Sequence, residues 1–154
     1  MPDRKIQIGV IGAGSCTEKQ ADAAFRIGRE IARRDTVLVC GGLGGVMEAA
    51  CRGAKDAGGI TVGLLPTSRK DDANPYVDII VVTNMGHARN AIVAHSSDVL
   101  IAVGGEYGTL SEIALGLKIG KPVISFENRW GIKDIITVFG PENAVDTALK
   151  SLLQ

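Results

Sequence analysis

The chain has no surplus of either charge: seventeen Lys and Arg stand against seventeen Asp and Glu, a formal net charge of +0 over 154 residues. A protein that coats nucleic acid or docks on an anionic membrane needs a field of one sign, so neither kind of partner is expected. Cysteine is equally scarce. Cys16, Cys40 and Cys51 are an odd number with no CxxC pair, which argues against a disulfide scaffold and against a zinc site. No run reaches the ~18 uncharged apolar residues that cross a bilayer. The opening MPDRKIQIGVIGAG lacks the apolar core and small-residue cleavage site of a secretory leader. The expectation is a cytoplasmic protein forming one domain over residues 1–154, with no metal and no cofactor. Aromatics make up only 4% of the chain, so the core must be aliphatic.

Several familiar catalytic patterns are also missing. Gly12-x-Gly14 is followed by Thr17 where a dinucleotide fingerprint has its third glycine, and the second apolar run ends Val39-Cys40-Gly41 without a ribose-binding acid. No glycine precedes Lys-Ser or Lys-Thr as in a P-loop, there is no GxSxG elbow, and His87 and His95 have no evident triad partners.

What is present in excess is glycine, 20 of 154 residues, nearly twice the usual ~7%. Short apolar runs (6–11, 36–40, 60–65, 78–83, 98–103 and 122–126) alternate with segments of helical period (17–34, 46–57, 88–96 and 110–119). In the first helical segment Ala21, Ala24, Phe25, Gly28, Ile31 and Ala32 share a face, and Ser15-x-x-Glu18 and Thr17-x-x-Gln20 both have capping-box spacing. Residues 67–75 read as a loop and 131–140 are ambiguous, while Pro141 is placed to open a last helix. Runs rich in Val and Ile without alternation indicate parallel strands covered on both faces. The expected fold is α/β: a doubly wound, Rossmann-like parallel sheet in a single domain.

Three of the runs end in glycine clusters, at 12–14, 41–45 and 104–108. In such sheets ligands bind beyond the carboxyl ends of the strands. The clusters should therefore meet along one edge and form a groove of bare backbone and helix N-termini, a setting suited to phosphate. Candidate ligand-binding residues are Gly12, Gly14, Ser15, Gly41, Gly42, Gly44, Gly45, Gly104, Gly105 and Gly108; Thr109 and Asn90 join them only by the family resemblance below. Cys16 borders a helix N-terminus, a position that lowers a thiol's pKa. Glu48 fits either a first-turn helix acid or a groove carboxylate.

The segment Val103-Gly104-Gly105-Glu106-Tyr107-Gly108-Thr109-Leu110-Ser111-Glu112 resembles the PGGxGTxxE motif of the LONELY GUY (LOG) family, proteins once labelled lysine decarboxylases. Gly41–Met47, Gly58–Pro66 and Lys121-Pro122-Val123 resemble further pieces of the family, in the same order. The resemblance implies binding of a small phosphorylated ligand, either a nucleoside 5′-monophosphate or a molybdopterin-like compound. It also implies a homo-oligomer, dimer or tetramer. Members of the family cleave nucleoside 5′-monophosphates to a base and ribose 5-phosphate. By that resemblance Glu112 and Arg89 are the catalytic candidates, the carboxylate stabilising charge on the ribose or positioning water and the arginine orienting the substrate.

This chain departs from the pattern in several places. Val103 replaces the motif's proline, Glu48 stands where the hydrolases have glycine, and Asn90 follows Arg89 where they carry lysine. These departures resemble a short-chain branch that contains molybdenum cofactor carrier proteins, and they imply binding without cleavage as the alternative function. Thr109-x-x-Glu112 is also capping-box spacing. The carboxylate can either fold back on its own helix or face a ligand.

Overall fold

The computed structural model describes residues 3–154. The first strand, β1 (Gln7–Gly12), leads into α1 (Glu18–Arg33), β2 (Val37–Cys40), α2 (Val46–Asp56) and β3 (Ile60–Leu65). β4 (Ile79–Val82), α3 (Arg89–Ser96), β5 (Val99–Val103) and α4 (Tyr107–Lys118) follow, then β6 (Val123–Phe126), β7 (Ile136–Val138) and α5 (Pro141–Ser151). All the strand pairs are parallel, in the order β4-β3-β2-β1-β5-β6-β7. The doubly wound α/β sheet is as expected. The ambiguous stretch 131–140 holds the edge strand β7.

Because strand side chains alternate between faces, the strands feed two separate cores. Ile8, Val10, Leu38, Val99 and Ile101 point to the side covered by α1, α2 and α5. Ile11, Val39, Leu100 and Ala102 point to the side of Val93 on α3 and Ile113 on α4. Burying each such aliphatic side chain contributes roughly 1.5–3 kcal/mol.

Of the two capping boxes, Thr17 with Gln20 is the one that forms. The Thr17 hydroxyl accepts from the Gln20 backbone N–H, and the Gln20 side chain accepts from the Thr17 N–H. The buried face of α1 is Ala23, Ala24, Ile27, Gly28 and Ile31, rotated from the expected stripe. Phe25 turns outward instead, where the guanidinium groups of Arg29 and Arg52 lie 5.7 and 5.0 Å from its ring centre. Gly28 lets α1 and α2 touch backbone to backbone, since a Cβ there would collide with the Ala50 carbonyl.

β1 and β5 are neighbours, but α1 leaves to one face of the sheet and α4 to the other. The strand order reverses at this point, and the crevice it opens is where open α/β sheets place their ligands.

Candidate functional site

A cavity of about 310 Å³ lies in that crevice. Gly12, Gly14 and Ser15 from the β1–α1 connection line it, with Gly41, Leu43 and Met47 beyond β2. His87, Arg89 and Asn90 come from the start of α3, and Glu106, Gly108, Thr109 and Glu112 from α4 and its approach. Nine of the proposed site residues thus meet around one space: Gly12, Gly14, Ser15, Gly41, Arg89, Asn90, Gly108, Thr109 and Glu112.

Five others do not line it. Gly42 and Gly45 turn the chain at φ +78° and +63°, and Gly44 sits against the Gly14 carbonyl. Gly104 faces a different cavity. The Gly105 carbonyl accepts from Arg129 at 2.8 Å, and a Cβ on Gly105 would strike the side chain of Thr109. These glycines permit the loops to close without walling the space, because a glycine chosen for its backbone angles need not face a ligand. Glu48 belongs to the first turn of α2 and lines a separate surface recess.

α4 begins three residues earlier than the spacing predicts, at Tyr107 rather than Leu110, and no side chain caps it. Thr109 and Glu112 therefore lie inside the helix, and the alternative of a capping box is overturned. The N-cap is Glu106, in extended conformation. The first N–H groups of a helix have no intrahelical partner, and here they open beside the cavity. With the helix dipole behind them they favour an anion.

Arg89 and Glu112 are each 8% exposed. The Arg89 guanidinium is tied down: Nη1 donates to the carbonyls of Gly41 and Leu64, and Nε donates to the Asn90 side-chain oxygen at 3.1 Å. Burial lowers its pKa, opposed by the charge of Glu112. The Asn90 amide reaches Ser111 Oγ at 3.1 Å and the Gly108 carbonyl at 3.5 Å, so this side chain braces the start of α4. Burial pushes the Glu112 carboxyl up to about 7, with Arg89 pulling the other way. Near neutral pH such a group exists in both protonation states, the condition under which a carboxyl exchanges protons most effectively.

Behind the cavity Cys40 and Cys51 lie fully buried with their sulfurs 3.5 Å apart, and the Gly42 N–H donates to Cys40. Burial raises the pKa of Cys16, against the direction expected from its position before α1. No cluster of three or more His, Cys, Asp or Glu suited to a metal ion occurs among the described residues.

His87, Met47, Leu43 and Glu106 also line the cavity, and none is among the site residues expected from the sequence. One signal for Glu106 was available. The motif has a single residue between its glycine pair and the next glycine, whereas this chain has two, Glu106 and Tyr107.

The profile of the SLOG cluster4 family matches residues 5–151. The chain belongs to this family. An uncharacterised protein of Archaeoglobus fulgidus is 51% identical over 95% of this chain and 96% of its own length. The molybdenum cofactor binding protein of Rippkaea orientalis superposes with a TM-score of 0.90 and 41% identity, over 98% of this chain and 99% of that one. A cytokinin riboside 5′-monophosphate phosphoribohydrolase of Arabidopsis thaliana is 36% identical over 62% of this chain, but the match spans only 43% of the plant enzyme. None of the described helices is long and apolar enough to cross a membrane.

Proposed function

We propose that the chain binds a small phosphorylated ligand, a nucleoside 5′-monophosphate or a molybdopterin-like phosphate, with its phosphate at the start of α4. The observation that carries this reading is the uncapped N-terminus of α4 opening on the cavity at the β1–β5 crevice. Gly12, Gly14, Ser15, Gly108 and Thr109 supply small side chains, backbone N–H groups and hydroxyls for close approach. The full-length likeness to a molybdenum cofactor binding protein supports a carrier role, as does Asn90, which puts a bracing amide where the hydrolases carry a cation.

The enzymatic reading rests on a separate observation. Glu112 is buried in the cavity wall, titrates near neutrality and makes no contribution to capping its helix. A protonated Glu112 can donate to the leaving base of a nucleoside monophosphate, and its ionised form can stabilise positive charge on the ribose or orient water. Arg89, locked to two carbonyls, holds the wall in place and contributes its charge.

The test is incubation of the purified chain with AMP, GMP and CMP, monitoring binding by calorimetry and free base by chromatography. Saturable binding with no base released supports the carrier. Base release abolished by Glu112→Gln supports the hydrolase. Absence of both binding and base release would rule out a nucleoside 5′-monophosphate as the ligand.

The chain is also proposed to self-associate. Ile60, Ile79 and Val81 are exposed along the β3–β4 edge, an apolar strip suited to a second copy. Light scattering on wild type and Val81→Asp reads this directly.

A further inference from the structure

Four ionisable side chains line the cavity: His87, Arg89, Glu106 and Glu112. The one fixed cation, Arg89, already serves two strand carbonyls and Asn90. Asn90, beside it in the wall, is uncharged. Glu106 places a carboxylate at the N-cap of α4, beside the amides that would receive a phosphate. A terminal phosphate monoester carries close to two negative charges at neutral pH. Glu106 offsets the single positive charge of Arg89, so such a dianion would meet a lining with no net positive charge. A phosphate esterified on both sides carries one charge and meets half the repulsion.

The other side of the same loop supplies a second observation. A cavity of about 470 Å³ opens past the carboxyl ends of β5 and β6, and Gly104 forms part of its wall. Glu127 there pairs with Lys19 at 2.5 Å. The Gln20 side-chain oxygen is used in the α1 cap, which leaves its amide hydrogens for a ligand. Arg129 spends Nη1 on Gly105 and keeps its remaining N–H groups. Phe139 lies on the lip of this cavity with 78% of its surface exposed. An aromatic ring left this bare, among unspent amide and guanidinium donors, suits the stacking and edge recognition of a planar heterocycle.

We propose that the ligand is a phosphodiester joining two ring-bearing moieties. Its phosphate lies on the Gly104–Gly108 loop, one arm fills the Arg89–Glu112 cavity and the other stacks on Phe139. This rests on the reading that the loop holds a phosphate ester and adds that the ester continues past it. Glu106 is the specificity-determining residue that disfavours a terminal phosphate.

The experiment is calorimetric titration of the chain with AMP and GMP and with the matching singly charged dinucleoside phosphodiesters, ApA and GpG. Each titration is repeated on Glu106→Gln and Phe139→Ala, both at exposed positions where no folding cost is expected. The diester of at least one base should bind about tenfold or more tighter than its monophosphate. Phe139→Ala should reduce that advantage and leave monophosphate affinity unchanged, and Glu106→Gln should raise monophosphate affinity about tenfold. Monophosphates binding as tightly as diesters to wild type, or a diester advantage untouched by Phe139→Ala, would overturn the proposal while leaving the phosphate-binding reading intact. Failure of all four compounds to bind would remove the nucleotide as ligand, and this proposal with it.

Discussion

Arg89 and Glu112 line the same cavity and feel each other's charge, yet the guanidinium spends its hydrogen bonds on the carbonyls of Gly41 and Leu64 and on Asn90. Arg89 therefore ties the ends of β2 and β3 together, and Glu112 sits under its field without being locked by it. A substitution at either position has a structural consequence separable from any effect on ligand.

Arg89→Ala leaves two buried carbonyls without their donor and Glu112 without a compensating charge. The expected cost is about 3 kcal/mol or more in chemical denaturation. Arg89→Lys should recover part of it, because an ammonium retains the charge but cannot fork across both strands. Wild-type stability in Arg89→Ala would mean these bonds do not persist in solution.

Glu112 should make stability fall with rising pH. Its pKa moves from the ordinary 4.5 to about 7 on folding, so between these values the folded chain holds a proton that the unfolded chain releases. The stabilisation is full below about 4.5 and is lost as pH climbs through about 7. That interval corresponds to roughly 3 kcal/mol. Glu112→Gln, which cannot ionise, should be more stable than wild type at pH 8 by up to this amount, roughly 6–12 °C in melting temperature. Near pH 4 the two should be closely matched. Parallel melting curves for the two proteins across the whole range would contradict the burial of this carboxyl.

Thiol labelling should separate the three cysteines. Cys40 and Cys51 are buried and Cys16 is only partly so. One equivalent of an aromatic disulfide reagent should react with native protein, slowly because burial raises the pKa of Cys16. The remaining two should react only in denaturant. Cys16→Ser should abolish the native reaction.

The α1–α2 crossing should be intolerant of added volume. At Gly28 and Gly53 a Cβ would run into the carbonyls of Ala50 and Phe25, and backbone atoms cannot rotate aside. Either residue changed to Ala should cost about 1–3 kcal/mol despite alanine's better helix propensity. Gly58→Ala, where a Cβ meets open space but φ is +74°, tests the separate cost of backbone strain. Thermal denaturation of the three variants compares these effects.

The fold was legible from local signals. Val- and Ile-rich runs ending in glycine, separated by helical segments, allow little other than a parallel sheet with helices on both faces. The glycine clusters and the LOG-like motif also point to the edge where the cavity lies, since carboxyl strand ends in such a sheet must share one edge. The strand at 136–138, with two of its three residues exposed on the sheet edge, carried too little apolar pattern to be found.

Residue patterning alone determined the class of the sheet, the edge on which a ligand would rest and the residue types gathered there. Tertiary structure decided which glycines face the cavity and which merely bend the chain, because both roles select the same absent Cβ. It also decided that Glu112 does not cap α4. The choice between those roles turned on where the helix begins, and that depends on how the 104–108 loop packs against Thr109 and Arg129, contacts that no local spacing encodes.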